Sequence, residues 1–278
     1  MNTEANNSLF LHRVAAFLNE CPDAIDRLTV RETAKELGGS DWDAYLILLA
    51  GAMDVYDDRT LRERYLRESV RRLTPDAFLS DPYRKTVHFP NERNGAWSFG
   101  TVTYRPYELF VCGDMTRTFD GRVLPQLGCF TEPFACPAIF ENGREWMSLK
   151  PNELVTMRKP IERAHGNIAV YGLGLGYFAF MASEKPNVSH VTIAERDEDV
   201  LRLFGDLLLP QFPHRDKITL VHSDAFDYAK AGHLHDFVFA DLWHDVSDGL
   251  PLWERLLALE QPGTDYAYWI EDTMKLYT

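Results

Sequence analysis

Residues 167–197 have the sequence NIAVYGLGLGYFAFMASEKPNVSHVTIAERD, in which a turn with three glycines separates two short apolar runs. Residues 168–171 are β-branched, small or aromatic, which is typical of a buried parallel strand. Residues 177–183 predict a short apolar helix, and residues 190–194 predict a second strand. The segment is therefore predicted to form a βαβ unit, and it determines how the rest of the chain is interpreted.

A nucleoside-binding site is predicted at the glycine turn and at the end of the second strand. Gly172, Gly174 and Gly176 allow the backbone to approach a ligand, because no Cβ stands in the way. Glu195 follows Gly172 by 23 residues, close to the roughly 20 residues at which an acidic side chain binds ribose hydroxyls. Tyr177 occupies the place of the third glycine of a dinucleotide fingerprint. The resulting G-x-G-x-G pattern favours an S-adenosyl ligand, which has no pyrophosphate, over NAD.

The segments that follow continue the alternation of strands and helices. Residues 218–222, 236–242 and 266–271 are apolar runs that predict strands, and residues 199–209 and 251–260 predict helices between them. This alternation indicates an α/β fold with a doubly wound, Rossmann-like and mainly parallel sheet. Ligands bind such sheets at the carboxyl edge, where the strand order reverses.

Polar residues at the predicted carboxyl edge are the candidates for catalysis. Asp241 is the first, as a carboxylate that aligns and deprotonates an acceptor, although it could instead cap the next helix. His244 could act as a base near neutral pH or simply face solvent. Asp241, His244 and Asp245 together could hold a divalent cation, but further oxygen ligands are not identifiable, so no metal is predicted. Trp243 could stack near an adenine or fill the core.

The order of four motifs resembles a known family. GLGLG, VTIAERDEDV, HSDAFDY and DFVFADLW follow one another within residues 150–272. They are similar to class I S-adenosylmethionine-dependent transferases, and most similar to the spermidine synthase (aminopropyltransferase) branch. The resemblance implies that the cofactor is S-adenosylmethionine or decarboxylated S-adenosylmethionine.

The resemblance also implies a role for each matching position. The glycine turn would bind the methionine part of the cofactor, Glu195 the ribose, and Asp224 with Ala225 the adenine. Asp241 would orient and deprotonate the attacking amine, and Asn152-Glu153 would lie beside the aminopropyl chain. The predicted cofactor contacts are Asn152, Glu153, Gly172, Gly174, Leu175, Gly176, Glu195, Asp224, Ala225, Asp241 and Trp243, and the predicted catalytic residues are Asp241, His244 and Asp245.

Three departures from the aminopropyltransferase pattern leave the reaction open. Leu175 replaces the aspartate of the family's GGGDG turn, so a carboxylated cofactor is less strongly excluded. The family's D-S-S-D-P loop is replaced by DLWHD at residues 241–245. Only residues 272–278 follow the last predicted strand, so we expect a truncated class I methyltransferase fold without the sixth and seventh strands. The readings that remain are methyl transfer to a small molecule, aminopropyl transfer to a polyamine, and adenosyl-ligand binding without catalysis.

Composition indicates an ordinary globular protein with an acidic surface. The 278 residues are 45% hydrophobic and 26% charged, with a net charge of −13. This charge disfavours nucleic acid and favours a small-molecule, cationic substrate, although it could serve solubility alone. No apolar run predicts a membrane span, and no signal peptide is expected. Four cysteines without a C-x-x-C pair favour a reduced, cytoplasmic protein.

The N-terminal half is predicted to contain two further domains. Residues 1–80 are helix-like, residues 81–150 predict a small β-rich cap domain, and residues 151–278 are the cofactor-binding domain. Residues 28–55 have a helix-turn-helix cadence, but the second helix is acidic and apolar, so a packed cap or a dimer surface is favoured over DNA binding. Four aromatic residues of this half could line a substrate pocket or belong to the core: Trp97, Tyr104, Tyr107 and Trp146.

Overall fold

The computed structural model describes residues 2–278. Contacts divide the chain into two compact units, each built from two separate stretches of sequence. The first unit contains the residues up to Ala77 together with Thr103–Ala135. The second unit contains Phe78–Val102 and Cys136–Thr278. These boundaries differ from those predicted at residues 80 and 150, because each unit recruits strands from the region that was expected to form one β-rich domain.

The chain forms α-helices, β-strands and short turns in the following order. The elements of the first 150 residues are α1 (Thr3–Glu20), α2 (Arg27–Leu37), α3 (Asp41–Ala52), a π-helical turn (Leu61–Leu66), α4 (Arg67–Ser69), β1 (Val70–Leu73), α5 (Pro75–Leu79), α6 (Pro82–Thr86), β2 (Arg93–Asn94), β3 (Trp97–Tyr104), β4 (Phe110–Arg117), β5 (Val123–Phe130), β6 (Phe134–Glu141) and β7 (Arg144–Ser148). The later elements are α7 (Pro151–Thr156), α8 (Arg158–Arg163), β8 (Gly166–Tyr171), α9 (Tyr177–Ser183), β9 (Val188–Glu195), α10 (Glu198–Leu207), two 3₁₀ turns (Leu209–Gln211 and Arg215–Lys217), β10 (Ile218–His222), α11 (Ala225–Lys230), β11 (Phe237–Ala240), α12 (Val246–Leu257), β12 (Asp265–Tyr268) and α13 (Glu271–Met274).

The first unit packs its helices on a three-stranded sheet in the order β1-β5-β4. Strand β1 is a correction, because the sequence predicts helix throughout this region. Val70 pairs with Leu127 and Leu73 with Phe130, in parallel register. These partners lie more than fifty residues further along the chain, so a local periodicity cannot reveal the strand.

The helix-turn-helix cadence corresponds to α2 and α3. Helix α2 ends at Gly38, whose φ of 63° is left-handed, as is common at the ends of helices. Helix α3 buries Ala44, Tyr45, Leu46, Leu49 and Ala50. These side chains belong to the hydrophobic core of the unit.

The second unit contains a five-stranded parallel sheet in the order β10-β9-β8-β11-β12. The strands therefore run 3-2-1-4-5 in their own chain order, which is a Rossmann-like arrangement. All four residues of β11 are buried, as expected for a central parallel strand with both faces covered. The order reverses between β8 and β11, so a crevice is expected beyond their carboxyl ends.

Two smaller features complete the second unit. Strands β2, β3, β6 and β7 form a four-stranded sheet in that order, with β2 antiparallel to β3 and β6 antiparallel to β7. Helix α12 begins at Val246 and contains Pro251 inside it, whereas the sequence predicts a start at residue 251. The earlier start follows from a capping box formed by Asp245 and Asp248. None of the helices formed by residues 2–278 combines the length and apolar character that crossing a membrane requires.

Candidate functional site

The glycine turn after β8 lies directly against the loop after β11. Gly172 has a φ of 91°, and a Cβ at this position would stand 2.2 Å from the backbone carbonyl oxygen of Asp241. Gly174 has a φ of 52°, and its Cβ would stand 2.3 Å from the sulfur of Met147. Gly172 therefore requires glycine for two independent reasons, a left-handed backbone and a close approach to backbone, whereas at Gly174 the backbone requires glycine and the flexible Met147 side chain can move.

Replacing Gly172 by alanine is expected to destabilise the fold by about 2–4 kcal/mol, because left-handed strain adds to the contact with the Asp241 carbonyl. Gly263 provides a matched control, since its φ is 87° but nothing lies within 4 Å of an added Cβ. Gly263→Ala should cost only the backbone strain, about 1–2 kcal/mol. Urea unfolding measures both variants. An equal loss in the two would show that the close approach does not contribute.

Glu195 ends β9 with its carboxylate fixed by two backbone groups. Oε2 accepts a hydrogen bond from the N–H of Leu173 at 3.1 Å, and Oε1 accepts one from the N–H of Asp197 at 2.9 Å. The side chain is half-buried and reaches the cavity described next. Each carboxylate oxygen keeps a second lone pair, so Glu195 can still accept hydrogen bonds from two hydroxyl groups of a ligand.

A cavity of about 330 Å³ lies at the carboxyl edge of the parallel sheet. Its lining residues are Glu145, Trp146, Met147, Ser148, Lys150, Glu153, Gly172, Leu173, Gly174, Ala194, Glu195, Arg196, Asp224, Ala225, Phe226, Asp241, Leu242, Trp243, His244, Leu252 and Trp269. Five of these side chains are carboxylates, whereas only Lys150 and Arg196 are permanent cations. Lys150 is already paired with Glu145 at 2.6 Å. The cavity is therefore suited to a cationic ligand.

Glu153 and Asp241 form an acidic pair in this cavity. Both carboxylates are partly accessible from the cavity and otherwise surrounded by protein. Among residues 2–278 neither side chain has a hydrogen-bond or ion-pair partner. Burial raises the pKa of Asp241 to about 7, and burial with the nearby Asp241 charge raises the pKa of Glu153 well above its usual value. A cation placed between them would lower both pKa values.

The side chains of the loop after β11 contact both neighbouring protein groups and the cavity. Trp243 is buried and donates from Nε1 to the carbonyl of Trp269 at 3.3 Å, while one side of it still reaches the cavity. His244 is held by Asp248, with 3.1 Å between Nδ1 and Oδ2, and its ring meets that of Trp146 edge to face at 4.7 Å. The other ring nitrogen, Nε2, stays available for proton transfer.

Four predicted site residues do not line the cavity, and Asp245 is one of them. Its carboxylate accepts the N–H of Ser247 at 2.6 Å and caps α12. Leu175 is fully buried, and its carbonyl accepts a hydrogen bond from the hydroxyl of Tyr83. Gly176 packs against Phe204. Asn152 lies next to Glu153 on α7, and its Oδ1 is buried without a partner among residues 2–278.

The remaining predicted residues come together around the cavity. They are Glu153, Gly172, Gly174, Glu195, Asp224, Ala225, Asp241, Trp243 and His244. Asp224 also caps α11, because its Oδ1 accepts the N–H of Phe226 at 2.8 Å. Its second oxygen has no partner among the described residues and can accept a hydrogen bond from a ligand.

Trp269 is a cavity residue that the sequence did not single out. Its indole Nε1 donates to the hydroxyl of Thr156 at 2.9 Å. It directly follows β12, and the next residue, Ile270, has a left-handed φ of 49°, which is unusual for a β-branched side chain. The sequence predicts a strand over residues 266–271, which places Trp269 inside the strand, whereas the observed strand ends at Tyr268 and leaves Trp269 at its carboxyl end. Of the four aromatic candidates from the N-terminal half, Trp146 lines the cavity. The ring of Trp97 packs against the ring of Trp146, with 5.5 Å between their centroids.

Comparisons with known proteins add little to this description. No family model matches the chain, and no curated protein sequence matches it. Among solved structures, a candidate methyltransferase from Thermoplasma acidophilum is 22% identical over 38% of this chain and 44% of its own, with a TM-score of 0.30. Precorrin 8W decarboxylase from Methanobacterium thermoautotrophicum is 16% identical over 39% of this chain and 56% of its own, with a TM-score of 0.30.

A conserved hypothetical protein from Streptococcus pyogenes is 19% identical over 34% of this chain and 59% of its own, with a TM-score of 0.28. The chain thus spans about half the length of the solved structures it matches. Similarity at this level carries no argument about function. Fold and site together define an α/β protein with a Rossmann-like parallel sheet and an acidic cavity at its carboxyl edge.

Proposed function

We propose that the chain is an S-adenosylmethionine-dependent transferase that moves a methyl group to a small-molecule acceptor. The observation that carries the proposal is the Glu195 carboxylate, held by backbone N–H groups beside the glycine turn and open to the cavity. A carboxylate fixed at this point of a Rossmann-like sheet binds the two hydroxyls of a ribose. The neighbouring acidic pair supports a cationic group at the other end of the same ligand.

The residues of the cavity fit an S-adenosyl group and not a dinucleotide. Asp224 and Phe226 offer a hydrogen-bond acceptor and an apolar ring for adenine. The five carboxylates would repel a pyrophosphate but would attract a sulfonium. When bound, the cofactor supplies an activated carbon on sulfur for displacement by a nucleophile.

The residues of this chain would then act on the acceptor. Asp241 and Glu153 would align a cationic amine, and one of them would take the proton that the nucleophile must lose. Burial raises the pKa of Asp241 to about 7 in the ligand-free cavity. A bound cation would lower this pKa, so the carboxylate would be ionised and ready to accept the proton. His244 is the alternative proton acceptor and would take the proton at Nε2, since Asp248 already occupies Nδ1.

Two residues favour methyl transfer over aminopropyl transfer. Leu175 places no negative charge in the turn, and its side chain is buried away from the cavity. Lys150 supplies a cation at the cavity wall, and it would exchange its partner Glu145 for the carboxylate of intact S-adenosylmethionine. Aminopropyl transfer to a polyamine is the second candidate, favoured by the excess of carboxylates in the cavity, since decarboxylated S-adenosylmethionine carries two positive charges.

A ligand panel with product analysis tests the proposal. Thermal shift is measured with S-adenosylmethionine, decarboxylated S-adenosylmethionine, methylthioadenosine and NAD, and we expect the melting temperature to rise with the adenosyl ligands but not with NAD. Incubation with small amines should then release S-adenosylhomocysteine for methyl transfer or methylthioadenosine for aminopropyl transfer. Binding without either product would leave a non-catalytic adenosyl-binding protein, and no shift with any adenosyl ligand would refute the site.

A further inference from the structure

The first unit contains a small polar cavity that no part of the proposed function uses. It has a volume of about 150 Å³. Its lining residues are Arg27, Arg31, Asp41, Trp42, Arg72, Tyr107, Thr131 and Glu132. Three arginine residues thus line one cavity in a chain whose net charge is −13. Such a concentration of arginine is the environment in which proteins bind phosphate groups.

The hydroxyl of Tyr107 is the second observation that points to a ligand. The side chain is only 4% exposed, it lines the cavity, and its hydroxyl has no hydrogen-bond partner among residues 2–278. Burial raises the pKa of Tyr107, so the hydroxyl stays protonated and can donate. The hydroxyl is therefore an unused donor at the wall of the cavity, available to a bound ligand.

The arginines differ in how strongly the protein already engages them. Arg27 is fixed, because its Nη2 donates to the carbonyl of Thr131 and pairs with Glu132, both at 2.5 Å. Arg31 and Arg72 have no ion-pair partner among the described residues. Two free guanidinium groups can bind a doubly charged oxyanion in fork geometry, whereas a single carboxylate would need only one of them.

An open recess at the protein surface continues the cavity. The recess shares Asp41, Trp42 and Arg72 with the cavity and adds Ser40, Val70 and Arg71. Trp42 offers an aromatic face beside the guanidinium groups, and Arg71 adds a further positive charge. The Asp41 carboxylate opposes an anion, so we expect binding that is moderate and that weakens as salt is added.

We infer that this cavity is a binding site for the phosphoryl group of a small phosphorylated ligand, held by Arg31, Arg72 and the hydroxyl of Tyr107. The inference is independent of the proposed transferase function, because none of these residues lines the acidic cavity. A site of this kind would let a phosphorylated compound bind the first unit while the second unit holds its own ligands.

Calorimetric titration of the full chain with inorganic phosphate tests the inference. We expect saturable binding that weakens about tenfold in Arg31→Gln and in Arg72→Gln, and several-fold in Tyr107→Phe, which keeps the ring and removes only the hydroxyl. Arg59→Gln is the matched control, because Arg59 is exposed and lies outside the cavity. Its affinity for phosphate should equal that of the unmodified chain.

Competition experiments and melting curves distinguish phosphate binding from the alternatives. Adenosine monophosphate should compete with phosphate, whereas acetate at the same ionic strength should not. Melting curves without phosphate identify any variant that has lost its fold, and the exposed Arg31 and Arg72 variants are expected to keep it. Absence of saturable binding, equal binding by all four variants, or equal competition by acetate would each overturn the inference.

Discussion

Asp241→Asn is expected to reduce turnover by about 10²–10⁴-fold, the range found when a general base is removed. Asparagine keeps the size of the side chain but cannot accept the proton, and it leaves Glu153 without its acidic neighbour. The same variant should bind S-adenosylmethionine more weakly, because the cavity loses a negative charge near the sulfonium. Methylthioadenosine, which is uncharged at sulfur, should bind as before. Initial rates and calorimetric titrations with both ligands measure these effects.

The same substitution should change how stability depends on pH. In the folded, ligand-free protein the pKa of Asp241 is about 7, against an ordinary value of 3.8, so the native state holds more protons than the unfolded state between these values. Stability therefore falls as pH rises from about 4 to about 7 and changes little above that. Asp241→Asn should show a smaller decline, although Glu153 keeps part of it, since burial raises its pKa as well.

Asp245→Asn is the matched control for both measurements. It alters a carboxylate in the same loop that caps α12 and does not line the cavity. Its turnover and its pH profile of unfolding should stay close to those of the unmodified protein, with at most about 1 kcal/mol lost from the helix cap. If Asp245→Asn and Asp241→Asn impaired turnover equally, the assignment of Asp241 as the proton acceptor would be wrong.

The part of this molecule that local sequence determines was predicted well. The turn at Gly172, the strand before it and the carboxylate at Glu195 follow from residue type and spacing alone, because glycine permits the left-handed turn and β-branched residues form the strands. The parallel direction of the five strands follows from the alternation of strands and helices along the chain. These features depend on residues that are neighbours in the chain or in one βαβ unit.

The features that were missed depend on contacts between distant residues. Strand β1 exists because Val70 pairs with Leu127, and no periodicity in its own segment indicates that partner. Leu175 stands in the turn, where the family resemblance implies a contact with the cofactor, but the hydroxyl of Tyr83 holds its carbonyl and its side chain joins the core. That Asp241 has no hydrogen-bond or ion-pair partner among residues 2–278 could likewise be known only after every neighbouring side chain was located.

Glu195→Ala is expected to weaken binding of every adenosyl ligand by about 10²-fold, the loss that corresponds to two hydrogen bonds to a charged group. This loss should include methylthioadenosine, because the ribose hydroxyls are the same whether sulfur is charged or neutral. Asp241→Asn spares the neutral ligand, so the two variants separate recognition of ribose from recognition of charge. Titration of both ligands into both variants gives the four affinities that the comparison needs.

Two controls distinguish a lost ribose contact from a damaged turn. Glu198→Ala removes an exposed carboxylate three residues away that does not line the cavity, so it should leave the affinities unchanged. Glu195→Gln can still accept a hydrogen bond from Leu173 or Asp197 through its remaining carbonyl oxygen, and it should retain the fold while binding adenosyl ligands less tightly than the unmodified chain. If Glu195→Ala bound methylthioadenosine as well as the unmodified chain does, the ribose would lie elsewhere. The acidic pair at Glu153 and Asp241 would then attract a cation that carries no nucleoside.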